Sequence, residues 1–338
     1  MDNGSTPEIH AVHPANAIPG GDFHIRGAAL AGAERPRVQF GDSAAPVIIG
    51  SDEFVIARVP EGAASGELTI ANASHRSLPY ECHVGIQIAD SLHPVANPAA
   101  DEFGNIYTTL SGSRGQKTPV SVYRIDTANN MRPFLSDLMN ATGVAVDADG
   151  LIYVSSRHDG IIYQATSKGE MAVYVEGMGV ATGLAFDRDE NLYVGDRSGT
   201  IFKIARNRQI YVFATIEPSI AAYHLAFDDA QNLYVTGPTT SSFDCVYRIS
   251  PDGQVTTFFR GLGRPQGIAI DEASNLYVAA SLGGRRGVIR ITQAGEADLF
   301  LSGPSIVGQC FAPGGQMIVA TTSALYRVFT GVTGRRMP

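Results

Sequence analysis

The sequence predicts an all-β protein in two units: a small β-sandwich, then a six-bladed β-propeller whose last blade is closed by a strand from the N-terminal side of the repeats. Three observations carry this prediction. Thirty-seven glycines, eighteen prolines and no tryptophan in 338 residues describe short strands joined by tight turns. A hairpin-like segment recurs six times after residue 84 at nearly constant spacing. The first 83 residues lack that spacing and alternate polar with apolar positions between Pro-Gly-Gly and Gly-Glu turns.

The repeat is clearest in TGVAVDADGLIYV (142–154), TGLAFDRDENLYV (182–194), HLAFDDAQNLYV (224–235) and QGIAIDEASNLYV (266–278), with weaker copies at 97–109 and 308–320. Its equivalent positions Tyr107, Tyr153, Tyr193, Tyr234, Tyr277 and Ile318 lie 46, 40, 41, 43 and 41 residues apart, the period of a four-stranded propeller blade. Each copy reads as a hairpin in which Gly150, Asn191, Asn232 or Asn275 takes positive φ. The turn aspartates are therefore expected to be structural. Third strands follow at VYRID, IIYQA, IFKIA, VYRIS, VIRIT and LYRVF, and fourth strands at MRPFLSD, AVYVEGM, IYVFATI, VTTFFRG and ADLFLSG.

The sixth unit ends after its third strand. Residues 84–91 supply the missing fourth one, which ties the two ends of the ring together and removes an exposed edge. The organisation is then a disordered N-terminus at 1–6, the sandwich at 7–83, the propeller at 84–331 and a loose tail at 332–338. No Pro/Gly/Ser linker separates the units near Cys82 and His83, so a fixed interface is expected.

Residues 7–83 resemble the IPT/TIG immunoglobulin-like domain in the opening EIHAVHPANAIPGG, the central HIRGAAL and the closing VP before a final strand. The repeats are similar to NHL-repeat and gluconolactonase-like propellers, the SMP, gluconolactonase and LRE group, through G-[ILV]-A-[VIF]-D-x-x-x-N-L-Y-V. Together the resemblances cover nearly the whole chain.

Gluconolactonase-like enzymes hold a divalent cation on the channel axis with Glu, Asn and Asp placed just before the G of the first-strand motif. Here that ring reads Ala96, Thr142, Thr182, His224, Gln266 and Val307. A hard cation wants several oxygen ligands, some anionic, and zinc wants three protein ligands, so no metal and no cofactor is expected.

Four of these positions, Thr142, Thr182, His224 and Gln266, form a polar arc on adjacent blades. The loops joining second and third strands lie on the same face and carry Arg114, Lys117, Arg157, His158, Arg197, Arg285 and Arg286, with Arg264 nearby. In a chain of net charge −8 this is a concentration of cationic donors. The expected site is an electropositive funnel for an anionic small molecule, read as a carbohydrate derivative, with Thr142, Arg157, His158, Thr182, Arg197, His224, Arg264, Gln266, Arg285 and Arg286 as its ligand-binding residues. The alternative is a hydrolase or lyase acting on an anionic sugar derivative, with His224 as general base.

Other partners are restricted by charge. The first 83 residues hold five arginines against ten carboxylates, which disfavours nucleic acid and a membrane surface. The sandwich is left as a possible docking module for a protein partner, and the chain is read as a monomer. Cys82, Cys245 and Cys310 are odd in number, lack metal-ligand spacing and read as buried thiols. No leader precedes the first strand as written, so a cytoplasmic protein is expected, or a secreted or periplasmic one if a leader has been removed. The sequons at Asn72 and Asn140 are read as fortuitous.

Overall fold

The computed structural model describes residues 5–335 apart from 33, 64, 74, 114 and 243, and every helix-or-strand element among them is a strand. The repeat units build four-stranded antiparallel sheets, and the unit from Ala181–Phe186 through Leu192–Asp196 and Thr200–Ile204 to Ile210–Thr215 shows why. Asp187 organises its hairpin: Oδ1 accepts the N–H groups of Asp189 and Asn191 at 2.9 and 2.8 Å, and Oδ2 accepts Asn191 Nδ2 at 2.8 Å and the Tyr193 hydroxyl at 3.2 Å. Tyr107, Tyr234 and Tyr277 donate likewise to Asp101, Asp228 and Asp271, at 3.2, 3.1 and 3.1 Å. Burial first, then the adjacent carboxylate, pushes these phenols up, to about 12 for Tyr107 and Tyr234.

The left-handed residue of each turn sits one place earlier than the sequence suggested for three units. Glu190, Gln231 and Ser274 take φ of 59, 62 and 62°, while Gly150 does so as expected, at 75°. Asn191, Asn232 and Asn275 instead turn both backbone N–H and side-chain amide onto the aspartate. That service to the carboxylate explains the asparagines at these positions.

Each tyrosine ring is also a wedge. Tyr193 meets Phe213 of its own sheet and Phe227 of the next edge to face, with centroids 4.9 and 4.8 Å apart. Tyr277 does the same with Phe300 and Phe311 at 4.9 and 5.1 Å. The innermost strands Ala99–Ala100, Ala141–Val146, Ala181–Phe186, His224–Phe227, Ile268–Ile270 and Ile306–Ala312 pack in succession, and the last returns to the first. The ring is closed by Ile86–Ala89, which pairs antiparallel with Leu325–Phe329.

One sheet of the sandwich contains Glu8–His13, Asp22–Ala28, Phe54–Arg58 and Val47–Gly50. Its strands alternate, so that Phe23 and Ile25 face a core shared with Val38, Phe40, Leu68 and Ile70. The opposite sheet does not stop at its own edge. Tyr80–Val84 pairs parallel with the short strand Asn16–Ala17, which pairs parallel with Ala297–Ser302, the outer strand of the fifth propeller sheet. One nine-stranded sheet therefore runs through both units. Asn16 Nδ2 donates to Phe300 O at 3.1 Å, Ile18 N to Ser302 O at 3.0 Å and Asp22 N to Ser302 Oγ at 2.9 Å. Ile18 is wholly buried in the propeller core.

Two expectations change. The Gly-Gly-Arg-Arg stretch is not a loose loop: strands Leu276–Leu282 and Arg285–Ile291 continue to a two-residue turn at Gly283 and Gly284, with φ of 56 and 81°. Arg285 leaves the rim for the seam, where Nη2 donates to His13 O at 3.1 Å. The tail is docked at least to its last described residue: Arg335 donates to Phe227 O at 3.1 Å and pairs with Asp229 at 3.2 Å. Residues 336–338 of the expected tail and 1–4 of the expected disordered N-terminus lie outside the described residues.

Replacing Asp187 with alanine leaves the Tyr193 hydroxyl and several amides without their acceptor, and should cost roughly 2–4 kcal/mol in urea unfolding. A loss below about 0.5 kcal/mol would mean the turn holds without its carboxylate. The shared sheet predicts that both units melt in one calorimetric transition. Gly21→Ala, whose Cβ would lie 2.4 Å from Ser302 O, should destabilise that transition or split it, whereas an early, separate sandwich transition in the unmodified protein would contradict a fixed seam.

Candidate functional site

The face bearing the lead-in to each innermost strand also bears the loops between second and third strands, and Asn140 organises its first arc. Asn140 is buried; its Oδ1 accepts Gly115 N at 2.9 Å, and its Nδ2 donates to Gly112 O and Ser113 O at 2.9 and 3.0 Å. Its carbonyl accepts the Arg157 N–H at 3.3 Å. A Cβ on Gly115 would sit 3.6 Å from the His158 ring, and Lys117 bridges to Met139. Lys117, Arg157 and His158 are thereby gathered over the first two propeller sheets. Arg114 belongs to the same loop but lies outside the described residues.

A second cationic pair forms at the fifth sheet. Gly263 exchanges backbone hydrogen bonds with Ser281, at 2.8 and 3.0 Å, and Ser281 stands opposite Arg286 in its hairpin. Arg264, with φ of 51°, is thus brought beside the strand that carries Arg286, and both side chains are exposed. Strand alternation turns Arg286 to the opposite side of the hairpin from Arg285. Burial lowers the Arg285 guanidinium, which the sequence could not show.

Three expected contact residues have structural work instead. Thr142 Oγ1 donates to Asn140 O at 3.0 Å, and Thr182 Oγ1 donates to Gly195 O at 2.8 Å while accepting Tyr223 N at 3.1 Å. Arg197 ties two loops together, donating to Ser219 O at 3.4 Å and Ile220 O at 2.8 Å. These belong to a wider set of bonds between neighbouring sheets. Thr109 Oγ1 donates to Thr142 O at 2.8 Å, Ser155 Oγ to Thr182 O at 2.6 Å, and Thr236 Oγ1 to Gln266 O. Gln309 Nε2 donates to Gly267 O at 3.0 Å, with Asn97 Nδ2 on Ile268 O at 2.8 Å.

His224 stands apart. It opens its innermost strand opposite Thr236, is 3% exposed, and its imidazole makes no hydrogen bond to any described residue. Gln266, half-buried on the next sheet, likewise keeps its side-chain amide uncommitted among the described residues. Asn140 and Glu217 were missed as organising residues. Glu217 accepts Ser241 N at 2.7 Å and so shapes the fourth loop; the sequence signal was only a polar residue just before each first strand.

Among the described residues no group of three or more His, Cys, Asp or Glu side chains could hold a metal ion. The donor chemistry of the ring does not fit the cation that gluconolactonase-like propellers carry, since Thr142 and Thr182 are committed and His224 is the ring's one imidazole. Cys82 and Cys245 are buried and Cys310 partly so, and burial pushes the thiols of Cys82 and Cys310 up to about 12. No helix among the described residues is long and apolar enough to cross a membrane.

Burial lowers the His224 imidazolium from 6.5 to about 4. Between those values the folded protein binds fewer protons than the unfolded chain, so this contribution is complete above pH 6.5 and is lost as pH falls through 4. The loss amounts to roughly 3 kcal/mol. Urea unfolding at pH 7.5 and 4.5 should show a smaller acid loss for His224→Gln than for the unmodified protein; equal losses would mean that the imidazole is hydrated.

Residues 7–81 match the IPT/TIG domain family. No curated protein matches the chain. An auxiliary nutrient binding protein from Bacteroides ovatus is similar over 99% of this chain and 100% of its own, at 11% identity and a TM-score of 0.56. A gluconolactonase from Xanthomonas campestris is similar over 73% of this chain and 89% of its own, at 15% identity and a TM-score of 0.63. Virginiamycin B lyase from Staphylococcus aureus covers 72% of this chain and 97% of its own, at 13% identity and a TM-score of 0.54. At these identities the likeness is one of fold: an all-β chain with an IPT/TIG domain before a β-propeller.

Proposed function

We propose that the protein is a six-bladed, NHL-type propeller that binds an anionic small molecule at its arginine-bearing face without transforming it. The observation that carries this reading is a set of exposed basic side chains there without acidic partners. Lys117, His158, Arg264 and Arg286 are exposed and make no ion pair among the described residues. The acids of the same face are engaged by their own loops: Asp196 accepts Val180 N, Asp244 accepts Thr239 N, Glu217 accepts Ser241 N and Asp159 accepts the Ser156 hydroxyl. A small anion meeting such a face finds donors with open valences. The nutrient-binding proteins that match both units end to end support binding as the activity.

The lactonase-like or lyase-like reading is less well supported. A general base works best with a pKa near the working pH, and burial leaves His224 a weak proton acceptor. The ring also lacks the carboxylates that would hold a Lewis-acid cation.

Thermal unfolding against carboxylates, phosphorylated metabolites and divalent cations tests the proposal. A ligand at about 100 times its Kd adds roughly 2.7 kcal/mol, a shift of several degrees. An anion-dependent shift that disappears in the Arg264→Gln/Arg286→Gln variant is expected. A shift with calcium or zinc alone would reject it.

A further inference from the structure

Between its two cationic groups the rim exposes aliphatic side chains beside the hydroxyls of Ser198, Thr240 and Ser242. The loops leading into Thr182 and His224 expose Val180 at 39% and Ile220 at 56%, and leave Ala221 and Ala222 partly exposed. Their placement is not casual: Val180 O accepts the Arg197 N–H at 3.2 Å, and Ile220 O accepts Arg197 Nη2 at 2.8 Å. One arginine thus ties together the two lead-ins that carry these apolar residues, to Thr182 and to His224. The polar groups beneath them are largely unavailable to a ligand. Thr142, Thr182, Ser155 and Thr236 have each donated their hydroxyl proton to a backbone carbonyl.

We infer that the occupant of this site carries its anionic group on an apolar body, as an aromatic or medium-chain monocarboxylate does, and not on a polyhydroxylated one. The inference rests on the anion-binding reading above. A sugar acid brings four or five hydroxyls, each needing a donor and an acceptor when it leaves water. At the head of the innermost strands the free donors are His224, one nitrogen of which accepts while the other donates, and the Gln266 amide, and the hydroxyls of Ser198, Thr240 and Ser242 stand further out on the loops. An apolar body asks for nothing beyond contact with Val180, Ile220 and the dry imidazole, while Arg264 and Arg286 or the Lys117 group takes the carboxylate. The neutral state of His224 fits such an occupant, because a buried imidazolium beside an apolar body would have no counter-charge.

Calorimetric titration of the full chain with phenylacetate, octanoate, gluconate and the neutral analogue 2-phenylethanol separates the possibilities. The expected result is that phenylacetate or octanoate binds about tenfold or more tighter than gluconate, and that Ile220→Ser removes that preference while leaving gluconate unchanged. Gluconate binding as tightly as phenylacetate would overturn the apolar body and leave the anion site standing. If 2-phenylethanol binds as tightly as phenylacetate, the anion reading fails and the apolar mouth remains. No heat with any of the four overturns both. Circular dichroism of Ile220→Ser, an exposed position, establishes that lost preference is not lost fold.

Discussion

The ring depends on one buried contact, the hydrogen bond from a second-strand tyrosine to the aspartate that caps the preceding turn. Neither group could be buried alone: the carboxylate needs several donors, and the phenol needs an acceptor. Together they set the turn and fix the tyrosine ring against aromatic residues of its own sheet and of the next. The sixth sheet lacks both residues, having Ala312 and Ile318 at the equivalent places. There the work passes to other devices. Asn97 and Gln309 bridge the fifth and sixth sheets through backbone carbonyls, and Ile86–Ala89 supplies the outer strand. A ring closed in this way has its ends joined by roughly the same hydrogen bonding that holds any other sheet.

The second layer of bonds decides what the mouth can do. Hydroxyls at the ends of second strands reach the carbonyls of the next innermost strand, so packing of sheets and polarity of the channel top are the same question. Gly195 is the exception that defines the rule. It has no hydroxyl to offer, a Cβ there would come within 2.9 Å of Tyr223, and the link to the next sheet is made by Thr182, which donates to the Gly195 carbonyl within its own sheet and accepts Tyr223 N. The threonines of the ring are therefore spent on architecture. His224 enters the ring without such a duty, which is why it is the candidate worth perturbing.

Much of the fold was legible because its signals are local and repeated. Period, turn aspartate and second-strand tyrosine sit within a dozen residues of each other and recur. What was not legible depended on atoms far apart in sequence. Thr182 reads as a polar ring residue until Gly195 and Tyr223 are seen to occupy it, and Arg197 reads as a free rim cation until its carbonyl partners at 219 and 220 appear. Arg285 is different, because the clue was present: an unbroken strand pattern on both sides of Gly283-Gly284 spells a two-residue hairpin, which places two adjacent arginines on opposite sides of a strand. The missing linker near Cys82 and His83 signalled a fixed interface, but the strand that makes it had no signal, since Asn16–Ala17 is too short to read as one.

That short strand makes the sandwich part of the scaffold of the site. Arg286 lies on a hairpin whose other side is held by His13 through Arg285, and whose partner strand, Ala297–Ser302, is continued by Asn16–Ala17. Arg264 is positioned by Ser281 of the same hairpin. Arg264 and Arg286 are thus anchored, through one β-hairpin, to the sandwich. An outer edge that would otherwise be open to solvent is used instead to fix the height and tilt of that hairpin. On this view the sandwich is not merely an appendage: its short strand sets where the positive charge of the mouth stands.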